Sequence, residues 1–72
     1  MTFELFDVVL LNQDLPEAKL RKGNVGTIVE VLDDKTFIVE FVDNKGNTYA
    51  ETVLTAAQLL KVYYEPALTQ NS

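Results

Sequence analysis

The longest alternating stretch of the chain runs from Gly23 to Val42, GNVGTIVEVLDDKTFIVEFV. Its period of two predicts two long β-strands joined by a tight connection. In the first strand Val25, Thr27, Val29 and Val31 share one face, with Ile28 and Glu30 on the other. In the second, Phe37, Val39 and Phe41 oppose Ile38, Glu40 and Val42. The two glutamates mark the outward faces, so the expected inner set is Val25, Val29, Val31, Phe37, Val39 and Phe41. Ile28, Ile38 and Val42 are then an outward apolar set, covered by the chain's own ends or available to a partner. For Val29 and Val39 to share the inner face, paired residue numbers must add to an even sum. The connecting loop therefore holds an odd number of residues, Asp33-Asp34-Lys35 or a five-residue version.

Shorter elements flank this hairpin. Phe6–Leu11 (FDVVLL) is rich in strand-forming residues and ends at Asn12 and Gln13. In the long connection that follows, running to Lys22, Asp14 is placed to cap a short helical turn, with Pro16 in its first turn and Glu17 three residues on. Leu15 and Leu20 are its apolar members, suited to packing under the loop. Gly23 and Gly26 allow a positive φ, a bulge or a close backbone approach. Asp43-Asn44-Lys45-Gly46 reads as a type I turn with glycine in the left-handed position. Pairing Asp43 with Asn47 places Tyr49 opposite Phe41 but also carries Glu51 inward. The alternative inner face, Ala50, Thr52 and Leu54, conflicts with the turn unless a bulge lies between Tyr49 and Thr52, and both remain open. Thr55–Gln58 predicts one helical turn capped by Thr55, Leu59–Tyr64 a short closing strand, and 65–72 a frayed tail.

This order predicts an all-β fold, a small SH3-like barrel of about five strands, with one short helical turn before the last. Residues 1–64 form its single domain. FDVVLL, the DLPE loop with its basic residues, GNVGTIVEV, VEFVDNKG and LTAAQL together resemble a family of small uncharacterised bacterial proteins of unknown function, from about Phe6 to Leu60. That resemblance implies no activity. GNVGTIVEV is also distantly similar to the glycine-bracketed strand of KOW domains, which bind RNA or protein, and to small photosynthetic barrel subunits that help dock ferredoxin.

Charge argues against both of those roles. The net charge is −5 in 72 residues, whereas a ferredoxin-docking surface or a nucleic-acid backbone site needs cations. The exception is local: Lys19, Arg21 and Lys22 are half of the six basic residues and sit within four positions. They are suited to gripping an acidic patch or a phosphate; the plainer reading is a solvated cluster balanced by Asp14 and Glu17.

Catalytic chemistry has little to work with. There is no histidine and no cysteine, which removes the commonest general base, the thiolate nucleophile and the usual transition-metal ligands. Asp33-Asp34 supplies too few oxygens for calcium, so no metal or cofactor is assigned. No apolar run reaches the roughly 20 residues of a membrane span, and the first residues lack a signal-peptide pattern, so a soluble cytoplasmic protein is expected.

The reading that results is a non-enzymatic interaction module or small accessory subunit. Its expected contact residues are Asp14, Leu15, Pro16, Glu17, Lys19, Arg21 and Lys22 of the loop, with Ile28, Ile38 and Val42 beside them. Tyr63 and Tyr64 are further anchors, one of them packing on the barrel end. The expected partner is a protein of basic or mixed charge, with a homo-oligomer also compatible and nucleic acid or membrane disfavoured. Two alternatives are an acidic antitoxin or immunity-like protein neutralising a basic partner, and a KOW-like nucleic-acid accessory.

Overall fold

Val8–Leu11 (β1), Val25–Asp33 (β2), Thr36–Val42 (β3), Thr48–Thr55 (β4) and Leu59–Lys61 (β5) form one antiparallel sheet in the order β4-β3-β2-β1-β5. The structure, a computed structural model, describes residues 3–63. The expected all-β class, the five strands and the single helical turn before the last strand are all present; that turn is a 3-10 turn over Ala56–Gln58. Sequence boundaries were too generous at both ends. Phe6 lies outside β1 with a φ of +70° and is 69% exposed, and β5 stops at Lys61. Tyr64 and the tail 65–72 lie outside the described residues.

β2 is shared by both halves of the sheet, pairing with β1 through Val8–Thr27, Val9–Gly26 and Leu10–Val25, and with β3 along its length. Its facing is the main departure from the alternation pattern. Val31 keeps the expected face, opposite Phe37, although it is 43% exposed near the end of the strand, but Ile28 is fully buried, opposite Val39, and Val25 is 51% exposed. The cause is a pair of irregularities in the β2–β3 ladder. At the turn Asp33 pairs with Thr36, leaving only Asp34 and Lys35 in the loop, not the odd number expected. One register shift between Val31 and Asp33 gives the Val31–Phe37 and Glu30–Ile38 pairs, and a second between Ile28 and Glu30 gives Ile28–Val39. An extra residue reverses the facing of everything beyond it. Glu30 does point outward, but Ile28, two positions earlier, points in.

β3 follows its pattern, with Phe37, Val39 and Phe41 buried. Together with Val9, Leu11, Leu15, Leu20, Ile28, Leu54 and Leu59 they make the core, and Phe3 lays its ring 5.6 Å from that of Phe37. The open question in β4 is settled by a bulge. Asp43 N–H donates to the Asn47 carbonyl at 2.9 Å, as the turn requires, and the register then slips so that Phe41 pairs with Ala50 rather than Tyr49. Leu54 is thereby buried and Glu51 stays exposed. The extra residue is Tyr49, slightly earlier than the expected span.

Gly26 fixes how closely β2 lies on β3. A Cβ there would sit 2.6 Å from Val39 Cγ1, 2.9 Å from Phe41 Cε2 and 3.0 Å from the Glu40 carbonyl oxygen, all closer than van der Waals contact allows. Any larger residue would force the packed Val39 and Phe41 side chains to shift and press on the Glu40 carbonyl. Gly26→Ala is expected to destabilise the domain by about 1–3 kcal/mol, the usual cost of overpacking. Urea unfolding would show this as a lower midpoint with an unchanged slope.

Candidate functional site

Residues 12–24, between β1 and β2, form a loop pinned at its middle. Leu15 and Leu20 pair back to back through two backbone bonds, Leu15 N–H to the Leu20 carbonyl at 2.9 Å and the reverse at 3.1 Å. Both side chains are buried, so the expected contact role of Leu15 is replaced by an anchoring one. Between them lies a 3-10 turn over Pro16–Ala18, ended by Lys19 in the left-handed region at φ +61°. A non-glycine residue there is strained, and the bond from Lys19 N–H to the Pro16 carbonyl at 3.0 Å helps to hold it. Asp14 does not cap this turn. Its carboxylate instead accepts the Lys22 N–H at 2.8 Å across the neck of the loop, and Asn24 Oδ1 accepts the Arg21 N–H at 2.9 Å.

The outcome is a pinned platform whose buried leucines leave the polar side chains outside. Pro16, Glu17, Lys19, Arg21 and Lys22 are all exposed, and Asp14, Pro16, Lys19, Leu20, Arg21 and Lys22 line a shallow hollow of about 630 Å³. The three cations expected to cluster are therefore brought together. Glu17 lies on the same loop but not in the hollow.

Beside this platform the outer face of the sheet carries an apolar row. Leu60 pairs with Leu10 and Leu10 with Val25, while Val42 lies beside Val25 in a second hollow of about 420 Å³ that also includes Gly23, Asn24 and Tyr49. Leu60, Val25 and Val42 are 53%, 51% and 46% exposed. Val42 is thus outward as expected, and Gly23 and Asn24 join the loop to the row. Ile38 is outward and half-buried, at the other end of β3, and Ile28 belongs to the core. The alternation pattern missed Val25 because the bulge had not been placed. Leu10 and Leu60 were readable as strand residues, but their facing follows only from the pairing of β1 with β5.

Tyr63 is 66% exposed with the Lys61 ammonium 5.5 Å from its ring centroid. That ammonium also meets Asp7 at 3.1 Å, and the hydrogen bond to Asp7 holds it above the usual lysine range. No group of three or more acidic, histidine or cysteine side chains among the described residues is arranged to hold a metal ion. No helix among them is long and apolar enough to cross a membrane.

Residues 5–61 match the family model described as Domain of unknown function (DUF4926). The chain belongs to this family. The match begins just before β1 and ends with β5, so the whole sheet, the loop and the apolar row lie inside the DUF4926 domain. No curated protein and no solved structure matches the chain.

The turn that borders the second hollow of the DUF4926 domain has its own electrostatic signature. Asp43 Oδ1 accepts the N–H groups of Asn47 at 2.9 Å and Lys45 at 2.8 Å, and Gly46 follows at φ +84°. The Asn47 and Lys45 N–H groups, in that order, hold the Asp43 carboxyl below its ordinary value of 3.8. A depressed folded value stabilises the fold above the unfolded pKa, and the effect is lost as pH falls through the folded one. Asp43→Ala is expected to lower the unfolding midpoint near neutral pH. The gap from the parent should close as acid is taken below that ordinary value and down through the depressed one, measured by denaturant unfolding across a pH series.

Proposed function

We propose that the protein is a non-enzymatic interaction module that binds another protein through the loop platform and the adjoining apolar row. The single observation that carries this reading is their continuity. A loop locked by Leu15 and Leu20 presents Lys19, Arg21 and Lys22 next to exposed Val25, Val42 and Leu60 and half-buried Leu10, with Gly23 and Asn24 joining the two. An apolar strip beside fixed charges is the usual anatomy of a protein contact, the apolar part giving affinity and the charges giving register. Because the pinned loop is already ordered, little conformational freedom is lost on binding.

The partner that fits has an apolar ridge flanked by carboxylates that meet the three cations, and basic groups elsewhere that suit the acidic remainder of the chain. A bacterial cytoplasmic setting and an SH3-like barrel accord with this reading. The strand order, the long β1–β2 loop and the 3-10 turn joining β4 to β5 support the barrel comparison.

Affinity purification from the native host tests the surface. Val25→Asp and the triple change Lys19→Glu, Arg21→Glu, Lys22→Glu are each expected to lose the partner. Leu32→Asp, exposed at the far end of β2, should keep it. Retention of the same partner by both surface variants, with the fold intact by circular dichroism, would sink the proposal.

A further inference from the structure

We propose that the free edge of β4 is a second docking site, which takes an extended segment of a partner protein carrying Lys or Arg two residues from a β-branched residue. β4 is an outer strand of the sheet and, among the described residues, pairs only with β3. Which of its backbone groups point outward follows from two bonds near its end. Ala56 N–H donates to the Lys35 carbonyl at 2.9 Å, which places that pair in hydrogen-bonding register. Antiparallel ladders alternate, so Leu54 with Phe37 and Thr52 with Val39 are bonded pairs, while Val53 with Ile38 and Glu51 with Glu40 are not. Thr55 confirms the phase, since its N–H turns away from β3 to the Gln58 side chain at 2.9 Å. Glu51 and Val53 therefore direct their N–H and C=O groups out of the sheet edge.

That edge has few of the usual protections. β4 has eight residues, contains no proline or lysine, and is irregular only at Tyr49, before the open pair. Val53 is 55% exposed, a β-branched side chain on an edge that is unpaired among the described residues. What the edge strand and the two strands beside it carry is negative charge. Glu51 stands directly opposite Glu40, and Glu30 lies on β2 opposite Ile38, the next pair along β3. None of the three carboxylates forms an ion pair among the described residues; Glu40 accepts only the Thr48 hydroxyl at 2.9 Å.

Like charges facing each other across strands destabilise, so the carboxylates disfavour pairing with a second copy of β4. The same groups favour a strand that sets a cation against Glu51 and a β-branched residue against Val53. Backbone bonds to Glu51 and Val53 supply affinity and the alternate side chains supply specificity, the logic of strand addition. This surface is separate from the loop platform, so the two stand or fall independently.

The probe is a blocked octapeptide, KTVTKTVT, titrated into the full chain, with ETVTETVT as its acidic counterpart. The basic peptide is expected to bind and to slow hydrogen exchange at the Glu51 and Val53 amides. The acidic peptide should bind at least about tenfold more weakly, and Glu51→Lys should reverse the order. Val53→Pro removes an outward N–H without removing a bond to β3, and should abolish binding of both peptides. Exchange at Glu51 and Val53 that is unaffected by the basic peptide, or equal binding of the two peptides to the parent, would overturn the proposal. So would undiminished binding by a folded Val53→Pro; if that variant does not fold, the Glu51→Lys reversal decides. The triple loop variant should bind KTVTKTVT normally even though it loses the native partner.

Discussion

The close approach of β2 to β3 at Gly26 is the constraint on which the rest of the domain depends. β2 has to serve two partners, and at Gly26 it lies opposite both Val9 and Phe41. With no side chain there, Val39 and Phe41 fill the space a Cβ would take. The strand then gains a residue around Val29, which turns Ile28 into the core while leaving Glu30 in water. In a chain of this size only about 60% of the unfolded surface is buried, so each inward position matters. Truncating Phe37 or Phe41, both essentially fully buried, would remove about 3–5 kcal/mol from a stability that is itself only a few kcal/mol.

The loop obeys the same economy. Leu15 and Leu20 are spent on the core, and the backbone between them is closed by its own hydrogen bonds. This arrangement decides which side chains are left for function. A loop of residues 12–24 without such a pin would place three cations over a wide range of positions; with it they share one hollow. The left-handed Lys19 is where the backbone of the loop is strained, at the rim of that hollow.

Much of this was legible in the sequence, and the boundary between legible and hidden has a physical basis. The β3 alternation, the Asp43–Gly46 turn, the helical turn after Thr55 and the clustering of Lys19, Arg21 and Lys22 are local features. Each depends on residues within a few positions of one another, and each is found where the pattern put it. The facing of β2 is not local. Parity assigns a face only while the ladder is regular, and neither extra residue in β2 has a proline or glycine to announce it; Val29 and Leu32 read as ordinary strand residues. Leu15 shows the other limit, since an apolar residue in a polar loop fits a contact and an anchor equally well until the packing beneath it is known. The apolar row was hidden for the same reason as Ile28, because its members lie on four strands and align only through their registers.

The segregation of surface chemistry follows from that register. On the outer face, the end of the sheet near the loop is apolar, through Leu60, Leu10, Val25 and Val42, while the middle of β2, β3 and β4 is acidic, through Glu30, Glu40 and Glu51. Had β2 run without its bulges, Ile28 would lie outward between these regions and the core would lose one of its fully buried residues. One irregularity therefore has two effects: it completes the core, and it keeps the apolar row and the acidic edge distinct. A net charge of −5 says little about partners by itself, because the three cations line the loop hollow while these three carboxylates lie on β2, β3 and β4. Electrostatic selection acts on such local patches, within about 8–10 Å at physiological salt, rather than on the total.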